Sequence, residues 1–282
     1  MRKKMKKWNC CLIIRKYSQR FTTKKCIDMN IKKLIVLDTE TTGLDNEDRI
    51  IQLALLVVNA QTLEVEESYC SLCKASVPIK PGASAVNKKT DEMLEDQPVI
   101  QHTEAYKALE KYNKPENAIV IHNAFFDLYM LAKEMFLIHT QLIDTLTCGR
   151  YLYPRVQNYK LQTLINQNAD EVIVQEHDAL SDCLMCLGLL KQMLKYSPFD
   201  INKMFEWTSD PIIGFGKHKG RKLTELAKEK PDYLEWVIKN FEKLDAPTRL
   251  VMKCLITPNE LDNTETKGLR YMKMDHLIRT TT

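Results

Sequence analysis

Nothing in the 282-residue chain approaches the run of about 20 apolar residues that a membrane helix requires, so no membrane-spanning helix and a soluble protein are expected. Two common catalytic signatures are missing as well. The Gly214-x-Gly216-Lys217 stretch lacks the spacing of a GxxxxGK[ST] phosphate loop, and no GxSxG nucleophile turn occurs. The nine cysteines are an odd number, which argues against a disulfide framework and for a reducing compartment. Cys70-x-x-Cys73 and Cys183-x-x-Cys186 are not read as zinc ligands. The first pair lies on an expected strand, Glu67 to Val77, where residues three apart face opposite sides; the second lies on an expected helix, where small apolar residues pack.

Acid is absent from one region altogether. Residues 1–27 hold ten Lys and Arg and no Asp or Glu, whereas residues 28–210 hold 17 basic against 27 acidic, and residues 211–282 hold 14 against 10. A net-acidic centre suits a polyanion poorly except through bound cations, so basic flanks would be needed to retain one. In the leader, Trp8 to Ile14 is short for a signal-peptide core and is followed by Arg15-Lys16 instead of a small-residue cleavage site. Met29, directly before the first expected strand, offers an alternative start. Residues 1–30 are therefore expected to be a disordered basic extension on a cytoplasmic protein, with a mitochondrial address as the alternative.

What is present centres on one short segment. Leu34-Ile35-Val36-Leu37 runs into Asp38-Thr39-Glu40 and then the turn Thr41-Thr42-Gly43. Strand side chains alternate faces, so Asp38 and Glu40 converge on one spot at the strand's carboxyl end, where two carboxylates suit a hard divalent cation. Further acids come from two later segments. Ile119 to His122 reads as a buried strand leading through Asn123 into a helix with Asp127 in its first turn. His177-Asp178-Ala179-Leu180-Ser181-Asp182 opens a second helix, capped by Asp178, with Leu180, Leu184, Leu187 and Met193 or Leu194 at helical spacing.

In order, Asp38-x-Glu40, His122-Asn123-Ala124-x-Phe126-Asp127 and His177-x-Ala179-x-x-Asp182 resemble the three motifs of the DEDDh (DnaQ-like) superfamily of 3′–5′ exonucleases, which includes polymerase proofreading subunits. The likeness spans residues 31–197, with one small departure: Ile121 stands where the family usually has Gly. It implies that Asp38, Glu40, Asp127 and Asp182 hold two divalent cations, Mg²⁺ or Mn²⁺. Such ions lie about 3.5 to 4 Å apart and stabilise the attacking and leaving oxygens of an in-line displacement. His177, with an ordinary pKa of about 6.5, would take the proton of the attacking water, and a nucleoside 5′-monophosphate would leave. The resemblance further implies that Thr41, Thr42 and Gly43 meet the terminal nucleotide through backbone N–H and hydroxyl groups and that Leu44 wedges against its base. Asn123 and Phe126 are the next candidates, for a phosphate or sugar contact and for packing or stacking.

The expected fold is α/β, a ribonuclease H-like mixed sheet flanked by helices. Its strands are Leu34 to Glu40, Ile50 to Asn59, Glu66 to Ser76 and Ile119 to His122, with helices near Asp91 to Leu94, His102 to Lys111 and Tyr159 to Leu164. A second, small α+β domain is expected over residues 198–258, before a loose tail at 259–282. In it Gly214, Gly216 and Gly220 bracket Lys217, His218, Lys219, Arg221 and Lys222, a hairpin suited to phosphates, and Tyr233, Leu234, Trp236 and Val237 would close a mini-core. This segment looks like the small domain behind the nuclease in exonuclease X-like proteins. The expected partner is nucleic acid, DNA favoured over RNA, with a DNA polymerase, repair machinery or a second copy of the chain as candidate protein partners. An RNA-trimming exonuclease and a non-catalytic or polymerase-associated subunit are the alternatives.

Overall fold

The computed structural model describes residues 31–166, 178–196, 201–241, 244 and 246–257. The expectations for residues 1–30 and 259–282, and for His177, lie outside the described residues. Three antiparallel strands open the fold: β1 (Lys33–Thr41), β2 (Ile50–Asn59) and β3 (Val65–Leu72). Two parallel strands, β4 (Asn117–Ile121) and β5 (Gln141–Asp144), then join the free side of β1, giving the order β3-β2-β1-β4-β5. β1 therefore sits at the centre and is buried on both faces, which is why Leu34 to Leu37 form a continuous apolar run. β3 ends four residues before the expected Ser76. Cys73 N–H still donates to Ile51 of β2, and the chain then leaves the sheet, Lys74 N–H donating to Pro98.

Between β3 and β4 lie α1 (Pro81–Asn87), α2 (Asp91–Leu94) and α3 (Glu104–Tyr112). Pro81 opens α1, and Lys88 closes it with φ 57°. Thr103 caps α3 by accepting from Tyr106 N–H. α4 (Ala124–Lys133) follows β4, α5 (Thr145–Leu152) follows β5, and α6 (Leu161–Asn166) and α7 (Ala179–Tyr196) come next.

The alternation of β1 assigns the two faces. Leu34 and Val36 pack with α7 residues Ala179, Cys183, Cys186, Leu190 and Met193. Ile35 and Leu37 pack on the opposite face with Leu109 of α3 and Leu128 and Leu131 of α4. Leu184, expected on the apolar face of α7, is instead 53% exposed. The face that meets the sheet is built from small residues, Ala179, Cys183 and Cys186, which let α7 approach closely and rotate Leu184 outward. Among the described residues the cysteines are free, and Cys70 is exposed while Cys73 is buried, as expected for two residues three apart on an extended chain.

α8 (Ile201–Ser209) places Met204 and Trp207 in the core between β1 and α7, so the residues from 201 to 209 pack with the five-stranded sheet and not with the expected second unit. A separate small core begins at Ile213. It holds a hairpin, pinned by the Ile212–Lys222 bridge and by Ile213 N–H donating to Arg221, and three helices: α9 (Leu223–Glu229), α10 (Pro231–Asn240) and α11 (Ala246–Ile256). Leu234 and Val237 are buried there, but Trp236, expected in the mini-core, is exposed: it falls between them in sequence and so on another face of α10. α11 packs against α4. No helix among the described residues is long and apolar enough to cross a membrane.

Candidate active site

Strand parity carries β1's acids to the α7 side. Asp38 and Glu40 continue the even-numbered row of Leu34 and Val36, so they face the amino end of α7, where Asp182 sits in the first turn. One carboxylate oxygen from each of Asp38, Glu40 and Asp182 lies within 4.8 Å of the others. Asp127 reaches the same place from the opposite face. It lies in the first turn of α4, and its Oδ1 accepts from Thr39 Oγ1 at 2.7 Å, Thr39 belonging to the odd-numbered row. The sequence-derived acids thus meet at the end of β1, three as one cluster and Asp127 beside them, turned toward Thr39.

Electrostatics mark this as a site suited to positive charge. Burial, then the Asp127 and Asp182 carboxylates, holds Asp38 well above the usual carboxylate range. Burial and Asp182 push Glu40 up to about 8, partly opposed by Lys89. Burial likewise raises Asp127 to about 7, against the opposing hydrogen bond from Thr39. Buried carboxylates at such separations repel strongly unless a cation or protons neutralise them. The donor set, all hard oxygens, fits a divalent ion such as Mg²⁺ and offers no soft ligand.

The turn after Glu40 is rigidly built. Thr42 Oγ1 donates to Asp48 Oδ1 at 2.9 Å, Thr41 Oγ1 to the Gly43 carbonyl at 2.7 Å, and Lys80 Nζ to Asp48 Oδ2 at 2.6 Å. Both threonine hydroxyls are thereby committed within the turn, and Thr42 N–H donates to the Arg49 carbonyl. A Cβ on Gly43 would lie 2.5 Å from Asp48 Oδ2, so glycine is required for the turn to close on that buried carboxylate. At its tip Leu44 is 72% exposed, free to meet a ligand. Asn123 adopts φ 67° as α4 begins, its N–H donating to Asp144 Oδ1 at 3.0 Å, and Phe126 is partly buried against the α4 side of the core.

Four residues that sequence reading did not single out hold the site together. Asp144 caps α5, accepting from Leu146 N–H and Thr147 Oγ1, and ties in the start of α4 through Asn123. Its signal was an Asp with a Thr three residues on, at the end of an apolar strand. Asp48 organises the turn. Gln52, opposite Glu40 in the β1–β2 ladder, donates to Asp178 Oδ1 at 2.8 Å and accepts from Ala179 N–H at 3.3 Å. Lys89 reaches the same Asp178 oxygen at 3.2 Å. Gln52 and Lys89 thus fix the start of α7, and with it Asp182; no local pattern marks either, since both act through distant partners. His122 bridges Thr145 Oγ1 and the Tyr159 carbonyl at 2.9 Å each, and burial lowers its pKa.

The basic hairpin is less free than its sequence implies. Arg221 pairs with Glu229, and Lys222 with Asp210 at 3.3 Å. Lys217 Nζ lies 5.4 Å from the Tyr233 ring centre, Lys219 Nζ lies 5.7 Å from that of Tyr159, and the His218 ring packs edge-on to Tyr233.

A five-stranded mixed sheet flanked by helices, with a carboxylate cluster at the end of its central strand, is the ribonuclease H-like exonuclease arrangement. Residues 35–190 match the exonuclease (RNase_T) family model, and the chain belongs to that family of hydrolytic nucleases, whose members use divalent metal ions. Residues 213–242 match the exodeoxyribonuclease X-like C-terminal family. The chain is 28% identical over 233 residues to exodeoxyribonuclease 10 of Escherichia coli strain K12, a match covering 78% of this chain and 97% of that protein. It is 31% identical over 170 residues to DNA polymerase III subunit epsilon of Rickettsia typhi, covering 56% of this chain and 72% of the relative. Among solved structures, exonuclease X in complex with 5′-overhanging duplex DNA superposes with a TM-score of 0.51 at 26% identity, covering 62% of this chain and 99% of the other.

Proposed function

We propose that the protein is a 3′–5′ exonuclease that removes nucleoside 5′-monophosphates from DNA ends, with two divalent cations held by Asp38, Glu40, Asp182 and Asp127. The observation that carries this reading is the convergence of Asp38, Glu40 and Asp182 within 4.8 Å, where burial and mutual repulsion raise the proton affinity of Asp38 and Glu40. When bound, such ions neutralise charge on the phosphate and stabilise the entering and leaving oxygens. The chain's own residues do the rest. Asp38 and Glu40 orient from a rigid strand, Asp182 from a helix start fixed by Gln52 and Lys89, and Thr39 holds the Asp127 carboxylate. Leu44 lies against the terminal base, while Thr41, Thr42 and Gly43 shape the backbone that receives the terminal nucleotide. Asn123 and Phe126 line the side nearer the next nucleotide. His177, directly before Asp178 in sequence, takes the proton of the attacking water.

The DNA assignment draws on the relative named exodeoxyribonuclease 10 and on the duplex DNA in the superposable exonuclease X structure. The division into a nuclease domain and a basic C-terminal module that retains nucleic acid draws on the second, separate core and on the hairpin cations. The test is hydrolysis of matched 5′-labelled single-stranded DNA, duplex DNA and RNA with Mg²⁺, beside a His177→Ala control. Stepwise shortening of DNA from the 3′ end, abolished in the control, is the expected result. Preferred shortening of RNA would move the protein to the RNA-trimming class, and no metal-dependent cleavage would leave a binding subunit.

A further inference from the structure

Trp236 stands out in the C-terminal module because its neighbours are used and it is not. It is 58% exposed, although the same helix buries Leu234 and Val237. Tyr233, three residues earlier and so adjacent on the helix surface, carries the hairpin. Gly216, at φ +70°, lies so close that a Cβ there would meet Tyr233 Oη at 2.6 Å, and the His218 ring packs on Tyr233 at 4.5 Å. Tyr233 is thus a mount, covered by the loop it supports, and Trp236 is the open aromatic beside it.

The cations divide in the same way. Arg221 and Lys222 are neutralised by Glu229 and Asp210. Lys217 Nζ lies over the Tyr233 ring, one helical turn from Trp236. Lys219 points the other way, over Tyr159, whose carbonyl accepts from His122 Nε2 next to Asn123. Lys219 thus joins the hairpin to the Tyr159–His122 contact just before α4, the helix that carries Asp127 and against which α11 packs. By helical spacing Asp232, Glu235 and Lys239 share the flank of Trp236 away from Tyr233, so the uncompensated positive charge lies on the hairpin side.

An open indole one helical turn from the tyrosine that carries Lys217 matches the chemistry of an unpaired strand, whose bases offer flat faces for stacking while its phosphates follow positive charge. A duplex hides those faces. We propose that Trp236 is a base-stacking platform for single-stranded nucleic acid outside the catalytic centre, with Lys217 and Lys219 holding the phosphates of the strand that runs between it and the site. This rests on reading the hairpin as nucleic-acid-binding and adds the ligand class and the residue that selects it.

The test is binding of a 12-nucleotide oligothymidylate to the full chain in EDTA, where hydrolysis stops and the acidic centre repels the strand. The oligonucleotide should quench tryptophan fluorescence in the wild type. Trp236→Ala should remove that quenching and weaken binding about fivefold or more, and Trp236→Phe should recover most of the affinity. A 12-base-pair duplex should be little affected by either variant. Lys217→Glu with Lys219→Glu should weaken the oligonucleotide and flatten its salt dependence. Wild-type affinity in Trp236→Ala, or an equal loss on the duplex, overturns the stacking platform. If the lysine variant alone weakens binding, the hairpin reading survives without the platform; if neither variant does, both fall.

Discussion

Glu40→Gln separates what the acidic centre costs the fold from what it gives the reaction. Burial and Asp182 push Glu40 from its ordinary 4.5 up to about 8, and burial raises Asp127 to about 7. In the unfolded chain these carboxylates titrate near about 4. Between those limits the folded, cation-free protein holds more protons than the unfolded chain, so its stability is greatest at low pH and falls as pH rises through the folded values. At about 1.4 kcal/mol per pH unit, ionising Glu40 in place would cost up to about 5 kcal/mol at pH 8 and above. The carboxylates share their repulsion, so the gain from removing one of them is set lower, on the order of 2 kcal/mol. In EDTA at pH 8, Glu40→Gln should therefore raise the thermal midpoint by about 5 °C. At pH 5, where Glu40 is already protonated in the folded state, the two proteins should melt alike. Mg²⁺ or Mn²⁺ at pH 8 should stabilise the wild type by mass action and the variant far less, while the variant loses hydrolysis. Differential scanning calorimetry with and without the cation reads all three effects. A variant that melts below the wild type at pH 8 in EDTA, or by a pH-independent margin, would refute the assignment of repulsion to this centre.

Three further substitutions probe how the acids are held. Thr39→Val removes the 2.7 Å hydrogen bond to Asp127, which should weaken Mn²⁺ binding and cut kcat/KM by about tenfold or more. Thr39→Ser, which keeps the hydroxyl, should restore both in parallel metal titrations and rate measurements. Gly43→Ala drives a methyl into Asp48 and should destabilise the protein by about 1 to 3 kcal/mol in urea unfolding, with a loss of activity as the turn is displaced. Gln52→Leu releases Asp178 and Ala179 at the start of α7 and should lower kcat more than it raises KM; the reverse pattern in steady-state kinetics would make Gln52 a binding residue instead.

Much of the site was legible because it obeys two periodicities. Alternation along β1 put Asp38 and Glu40 together, and the acid in the first turn of each following helix supplied Asp127 and Asp182. β2 was bounded at Ile50 and Asn59 because its apolar run ends in turn residues. β5, Gln141–Asp144, escaped notice: four residues are too few to show a period, and its strand character comes from pairing with β4. α1 escaped because Pro81-Gly82 reads as loop, although Pro at a first helical position starts a helix. Leu184 and Trp236 lie outside their expected cores for a common reason: apolar character alone does not set burial, since small residues form the contact face of α7 and three-residue spacing forms that of α10. The Gln52–Asp178 and Thr39–Asp127 contacts join residues 126 and 88 positions apart, and no local pattern encodes them.

The most direct measurement is a calorimetric Mn²⁺ titration of the wild type and of Asp38→Asn, paired with hydrolysis of a 5′-labelled DNA strand by the same preparations. The account predicts two cation sites and 3′-end shortening in the wild type, with both lost in a variant that still melts cooperatively. Undiminished Mn²⁺ binding or undiminished hydrolysis in Asp38→Asn would contradict it and remove the carboxylate cluster from the catalytic centre.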